Sequence, residues 1–173
     1  ILDSDPEHSR ISAGAPEGIR RAVYFLMDEL ERSPGKWIPC GTRRRKPFVK
    51  IRISRCCYGP KKRPPLPRRQ VSPARLNTDP EYRDELIDGR EYFPSAYLGR
   101  LAREGVNGLW IAASFRELCH TPIMPEYGLD AEPRLEKLRE IVQRCLRYGI
   151  KIYLLCIEPE GFKPGEPGRP GLA

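Results

Sequence analysis

Val106-Asn107-Gly108-Leu109-Trp110-Ile111-Ala112-Ala113 and Ile150-Lys151-Ile152-Tyr153-Leu154-Leu155-Cys156-Ile157 decide the fold. Each is a short, nearly continuous apolar run, which is how a strand covered on both faces reads. Each follows a segment of helical period. Before the first run, Tyr97, Leu98, Leu101 and Ala102 share one helix face, and Gly105 stands where that helix should end. Before the second, Pro133 suits a first helical turn, and Leu135, Leu138, Val142, Cys145 and Leu146 form the inner stripe up to Tyr148-Gly149. An earlier strand is read in 48–57, where Phe48-Val49-Lys50-Ile51-Arg52-Ile53-Ser54-Arg55 alternates. Strand–helix–strand–helix–strand predicts a parallel sheet with right-handed crossovers.

No G-x-G-x-x-G or P-loop follows any of these strands, which argues against a nucleotide fold. A (β/α)8 barrel fits better, and a whole one takes roughly 250 residues. The pattern starts and does not finish, so the chain is expected to be a piece of a larger protein. Residues 43–160 are read as the first three β/α units of an incomplete barrel, with a long, basic, Pro-rich loop over 58–80. Residues 161–173 are a Gly/Pro-rich tail with no core-forming pattern.

Residues 1–42 are read as the end of a separate, smaller α/β domain. Ser9 to Gly14 is a short strand entering a turn. A helix then starts near Pro16, with Ile19, Val23, Leu26, Met27 and Leu30 as its inner stripe, and Ser33-Pro34-Gly35 ends it. Tyr24 and Met27 are read as core packing, and Trp37 to Thr42 as a connector.

The net charge of +8 is unevenly spread. Between Glu31 and Asp79 there is no acidic residue, and that stretch holds 15 of the 31 Lys and Arg. It includes Arg43-Arg44-Arg45-Lys46 and Lys61-Lys62-Arg63. Such a cluster can attract phosphate backbones, but few aromatics interleave it, which weighs against nucleic acid as the partner. No apolar run is long enough for a membrane span, so no membrane partner is read. The six cysteines show no CxxC spacing, and most are read as buried free thiols rather than metal ligands or disulfides. No metal or cofactor site is read, and the compartment is left open.

In barrels, chemistry gathers at the carboxyl ends of strands. That rule nominates Arg55 and Tyr58 after the first strand, Ser114 and Arg116 after the second, and Glu158 after the third. The arginines have the fork geometry for carboxylates or sugar hydroxyls, and Glu158 for accepting hydroxyl hydrogen bonds. The bland alternative is an ion pair on the rim, such as Arg55 with Glu158. Glycoside cleavage needs two carboxyl groups, and Glu158 is the one well placed here.

Arg10-Ile11-Ser12-Ala13-Gly14-Ala15-Pro16-Glu17-Gly18-Ile19, with Tyr24 and Leu26 following, resembles the small α/β domain that precedes the barrel in β-N-acetylhexosaminidases and α-glucuronidases. Lys46 to Arg52 then resembles the linker into a first barrel strand, and Gly108-Leu109-Trp110, Arg147 to Tyr153 and Glu158-Pro159 resemble its continuation. The likeness spans about residues 8–160. It implies a carbohydrate substrate, with Arg55 as a sugar-binding position. Two departures matter. The hexosaminidases carry an acidic residue in the first strand before this arginine, where this chain reads Ile53-Ser54-Arg55. Their catalytic Asp-Glu pair ends the fourth strand, beyond Ala173, so no catalytic residue is carried over.

The expectation is therefore a fragment of a glycoside hydrolase-like protein. Its substrate-binding positions are Arg55, Tyr58, Arg116 and Glu158, and its partners are a sugar and the rest of the parent chain. The alternatives are a non-catalytic carbohydrate-binding or scaffold protein and, further down, a basic nucleic-acid-binding segment.

Overall fold

The computed structural model describes residues 1–55, 85–87, 89–113, 115–123, 125 and 127–156. The loop 58–80, the tail 161–173, Cys56 and Cys57 lie outside the described residues. The fold is α/β, and the described residues form two three-stranded sheets.

The first sheet is antiparallel. β1 (Leu2–Ser4) lies between β2 (Ser9–Ile11) and β3 (Gly41–Arg43). Leu2 and Ser4 point to one face and are buried. α1 (Pro16–Arg32) joins β2 to β3. Pro16 opens it without wasting a donor, and Glu17 and Arg32 match the helix dipole at its two ends.

The apolar stripe of α1 does not face a core. Ile19, Val23 and Met27 are exposed, Leu26 and Leu30 are half-buried, and no residue of the helix is fully buried. This corrects the reading of Met27 as core; Tyr24 does pack against the core cluster. The reason is that charged contacts occupy two flanks of the helix. On one flank Glu29 pairs with Arg43, and Phe25 lies under the guanidinium of Arg45 at 3.5 Å. On the other, Asp28 and Glu31 both reach Arg103. Positions 19, 23 and 27 fall on the remaining side of a helix with 3.6 residues per turn.

The second sheet is parallel and holds the strands in chain order: β4 (Ile53–Arg55), β5 (Gly108–Ala113) and β6 (Lys151–Cys156). Ile53 aligns with Gly108 and Lys151, and Arg55 with Trp110 and Tyr153. α2 (Ser95–Glu104) connects β4 to β5. α3 (Phe115–Leu118) and α4 (Ala131–Arg147) connect β5 to β6.

Both long helices cover the same face. Leu98, Leu101 and Ala102 of α2 and Ile141 and Cys145 of α4 share one core cluster with Leu109, Ile111 and Ala113 of β5. The opposite face carries Ile53, Trp110, Tyr153 and Leu155 together with Lys151; of these, Trp110 and Tyr153 are aligned neighbours. Ile53 and Leu155 are exposed there, and no described element covers them. Ile53 and Tyr153 close over Gly108, where an added Cβ would fall 2.7 Å from the tyrosine ring.

Three further expectations need correcting. Among the described residues, the strand read from Phe48 is regular over Ile53–Arg55, and Phe48, Val49 and Ile51 are exposed. Side chains have taken over the backbone there. Asn107 accepts from the Arg52 amide and donates to the Lys50 carbonyl, while Arg52 Nη1 donates to the Val49 carbonyl. The buried line of α4 runs through Arg134, Ile141 and Cys145; Leu135 and Leu138 lie partly buried beside it, and Leu146 is exposed. Of the four described cysteines, Cys145 is the buried one; Cys40 and Cys119 are exposed and Cys156 is half-buried. All four are free thiols.

Candidate functional site

Because β4, β5 and β6 run parallel, their carboxyl ends lie on one edge. In parallel α/β sheets that edge, with its following loops, is where ligands bind. Arg55 is the last residue of β4, and Arg116 is the second residue of α3, directly after β5. The backbone therefore brings both nominated arginines to one edge. Tyr58, Ser114 and Glu158 lie outside the described residues.

The loop after β5 is built, not slack. Phe115–Leu118 makes one helical turn, and the Cys119 amide bonds back to the Phe115 carbonyl at 2.8 Å. Gly128 then brings the returning chain onto it. Its φ is 65°, and an added Cβ would fall 2.4 Å from the Cys119 carbonyl carbon. Glycine alone fits that left-handed conformation and that backbone approach together. The Ala131 amide bonds to the Gly128 carbonyl at 3.0 Å, and α4 begins.

Beneath this loop lies a buried charge cluster that the sequence did not reveal. Arg134, in the first turns of α4, is 1% exposed, and Glu117 of α3 is 7% exposed. Burial pulls the Arg134 guanidinium below its ordinary value, against the opposing pull of Glu117 and Asp130. A buried cation needs an anion near it, and these two carboxylates supply it. The cluster ties α3 to the start of α4 and so fixes the path of the rim. Periodicity gave no signal for it, because a charged residue on a helix ordinarily reads as solvent-facing.

Two of the described carboxylates on this rim lie close to that cation. Glu117 is buried with Arg134, and Asp130 stands at the N-cap of α4. His120 is exposed in the loop. Glu85, before α2, is also buried, and its Oε2 has no hydrogen-bond partner among the described residues. Among the described residues no group of three or more His, Cys, Asp and Glu is placed to hold a metal ion, and no helix is long and apolar enough to cross a membrane.

The basic stretch also finds internal work. Arg43 pairs with Glu29, Arg45 lies over Phe25, and Arg52 pairs with Glu17 at 2.6 Å. Arg44, Lys46 and Lys50 are exposed.

No protein-family model, curated protein or solved structure matches the chain significantly.

Proposed function

We propose that this chain is part of a carbohydrate-active, glycoside hydrolase-like barrel protein, in which residues 43–160 form the first β/α units of the barrel wall. The observation that carries the reading is the parallel sheet whose described helices, α2 and α4, pack on one and the same face. Parallel sheets are stable when both faces are covered. In a barrel the second face becomes the packed interior, and neighbouring strands follow chain order with both helices outside. The order β4-β5-β6 and the apolar set Ile53, Trp110, Tyr153 and Leu155 fit that arrangement.

On this reading the carboxyl edge is the sugar side. Arg55, Tyr58, Arg116 and Glu158 contribute rim contacts to hydroxyl and carboxylate groups. They do not supply an acid–base pair. Glu117 is buried near Arg134, and Asp130 stands at the start of the same helix, which favours a binding role over a cleaving one for this part of the protein.

The test is a titration followed by backbone NMR, with N-acetylglucosamine oligomers and glucuronic acid as ligands. Shifts should gather at 55, 114–117 and the start of α4, and Arg55→Ala should weaken them. Saturating sugar with no shift at that edge would sink the carbohydrate reading. Sequencing the parent transcript past Ala173 tests the barrel separately: further strand–helix units with a paired Asp/Glu at a strand end are expected.

A further inference from the structure

Helices α2 and α4 end alike. The first closes Arg100-Leu101-Ala102-Arg103-Glu104-Gly105-Val106, the second Arg144-Cys145-Leu146-Arg147-Tyr148-Gly149-Ile150. Both glycines have positive φ, 96° and 70°. In the first end the Val106 amide bonds to the Leu101 carbonyl and the Gly105 amide to Ala102. In the second, the Ile150 amide bonds to Cys145 and the Gly149 amide to Leu146. These are two Schellman caps of one pattern. Each leaves carbonyls of the last turn without a backbone partner, at the negative end of a helix dipole.

Consecutive residues of α1 stand over these two ends. Arg21 Nη1 donates to the carbonyls of Arg103 at 3.0 Å and Ala102 at 3.3 Å. An added Cβ on Gly105 would fall 2.8 Å from that same nitrogen. An added Cβ on Gly149 would fall 1.7 Å from Arg20 Nη1. The missing side chain of each cap glycine is thus the space its arginine uses. Around this pair, Glu17 accepts from Arg52 and from Asn107 Nδ2, and Asp28 and Glu31 take Arg103. These groups lie at the starts of β4 and β5 and the ends of α2 and α4, the amino edge of the parallel sheet.

We infer that Arg20 and Arg21 form a two-pronged electrostatic clamp, which docks the N-terminal unit onto the ends of α2 and α4 and makes this joint the salt-sensitive point of the chain. The inference stands apart from the sugar reading. Charge supplies the grip, because the apolar stripe of α1 faces elsewhere and Tyr24 is its main apolar contact with the core. Charges at partly exposed helix ends are screened by salt, whereas an apolar core is not weakened by it.

The experiment is residue-resolved hydrogen exchange on the whole chain, from about 0.05 to about 1 M sodium chloride. Amides of α1 should exchange roughly tenfold faster at the high end, while those of β5 hold or slow. Arg20→Ala with Arg21→Ala should give faster α1 exchange already at low salt and reduce the salt dependence to the part carried by the ion pairs of Glu17, Asp28 and Glu31. Arg21→Lys, which keeps the charge, should retain it. If the double variant does not fold, the salt series on the unaltered chain decides alone. Exchange of α1 that is unmoved by salt, or that rises together with β5, would overturn the clamp.

Discussion

α1 and α4 are the same length, 17 residues, and they are held in place differently. α4 buries Ala131, Arg134, Ile141 and Cys145, and α2 buries Leu98, Leu101 and Ala102 against the same strand. α1 buries no residue. Its contacts with α2 and with Arg52, just before β4, are guanidinium to carboxylate and guanidinium to carbonyl, with Tyr24 also packed against the core. Hydrophobic burial is indifferent to ionic strength at moderate salt and grows with area. Exposed ion pairs are each worth little, and their number matters more than any one. The β/α unit is therefore expected to carry the stability of the chain, and the N-terminal unit to follow it.

The largest effect that would sharpen this contrast is in the core. Leu109, the second residue of β5, is fully buried, and Leu109→Ala should cost about 2–5 kcal/mol in urea unfolding. A loss below about 1 kcal/mol would mean that β5 is not the centre of the cooperative unit.

Next comes the buried cation. Arg134→Met leaves Glu117 buried without its counter-charge, a change that costs about 3–5 kcal/mol in comparable cases. Adding Glu117→Gln should restore part of the loss, because the stranded charge is gone. A double variant no better than the single would show that the two groups do not act as a pair.

A smaller effect is expected at the helix end. Gly105 has a φ of 96°, where a β-carbon is strained, so Gly105→Ala should cost about 1–2 kcal/mol. The smallest effect is on the exposed stripe of α1. Val23 is 42% exposed, and Val23→Ala should stay within about 0.5 kcal/mol of the unaltered chain. A drop of several kcal/mol there would mean that the stripe faces a core after all, and the comparison would break.

The β/α unit was largely legible in the sequence. β5 and β6 read as apolar runs, and Gly105 and Gly149 marked helix ends. These features are local, so local pattern finds them. β1 and β3 were missed, because three-residue strands such as Leu2–Ser4 and Gly41–Arg43 owe their regularity to each other and not to their own composition. The facing of α1 was misread because amphipathic period identifies an apolar face without saying that anything covers it. At the candidate site, the strand-end rule nominated Arg55 and Arg116, which the backbone places on one edge of the sheet. It could not find Glu117 and Arg134, whose burial depends on a helix start and a four-residue turn meeting in space.

The measurement that bears most directly on this account is residue-resolved hydrogen exchange along a urea series below the unfolding midpoint. The account expects amides of α1 to open at a lower free energy than those of β5 and β6, as a separate and earlier step. A single opening that takes α1, β5 and β6 together would contradict it, and would make the N-terminal unit part of one undivided core.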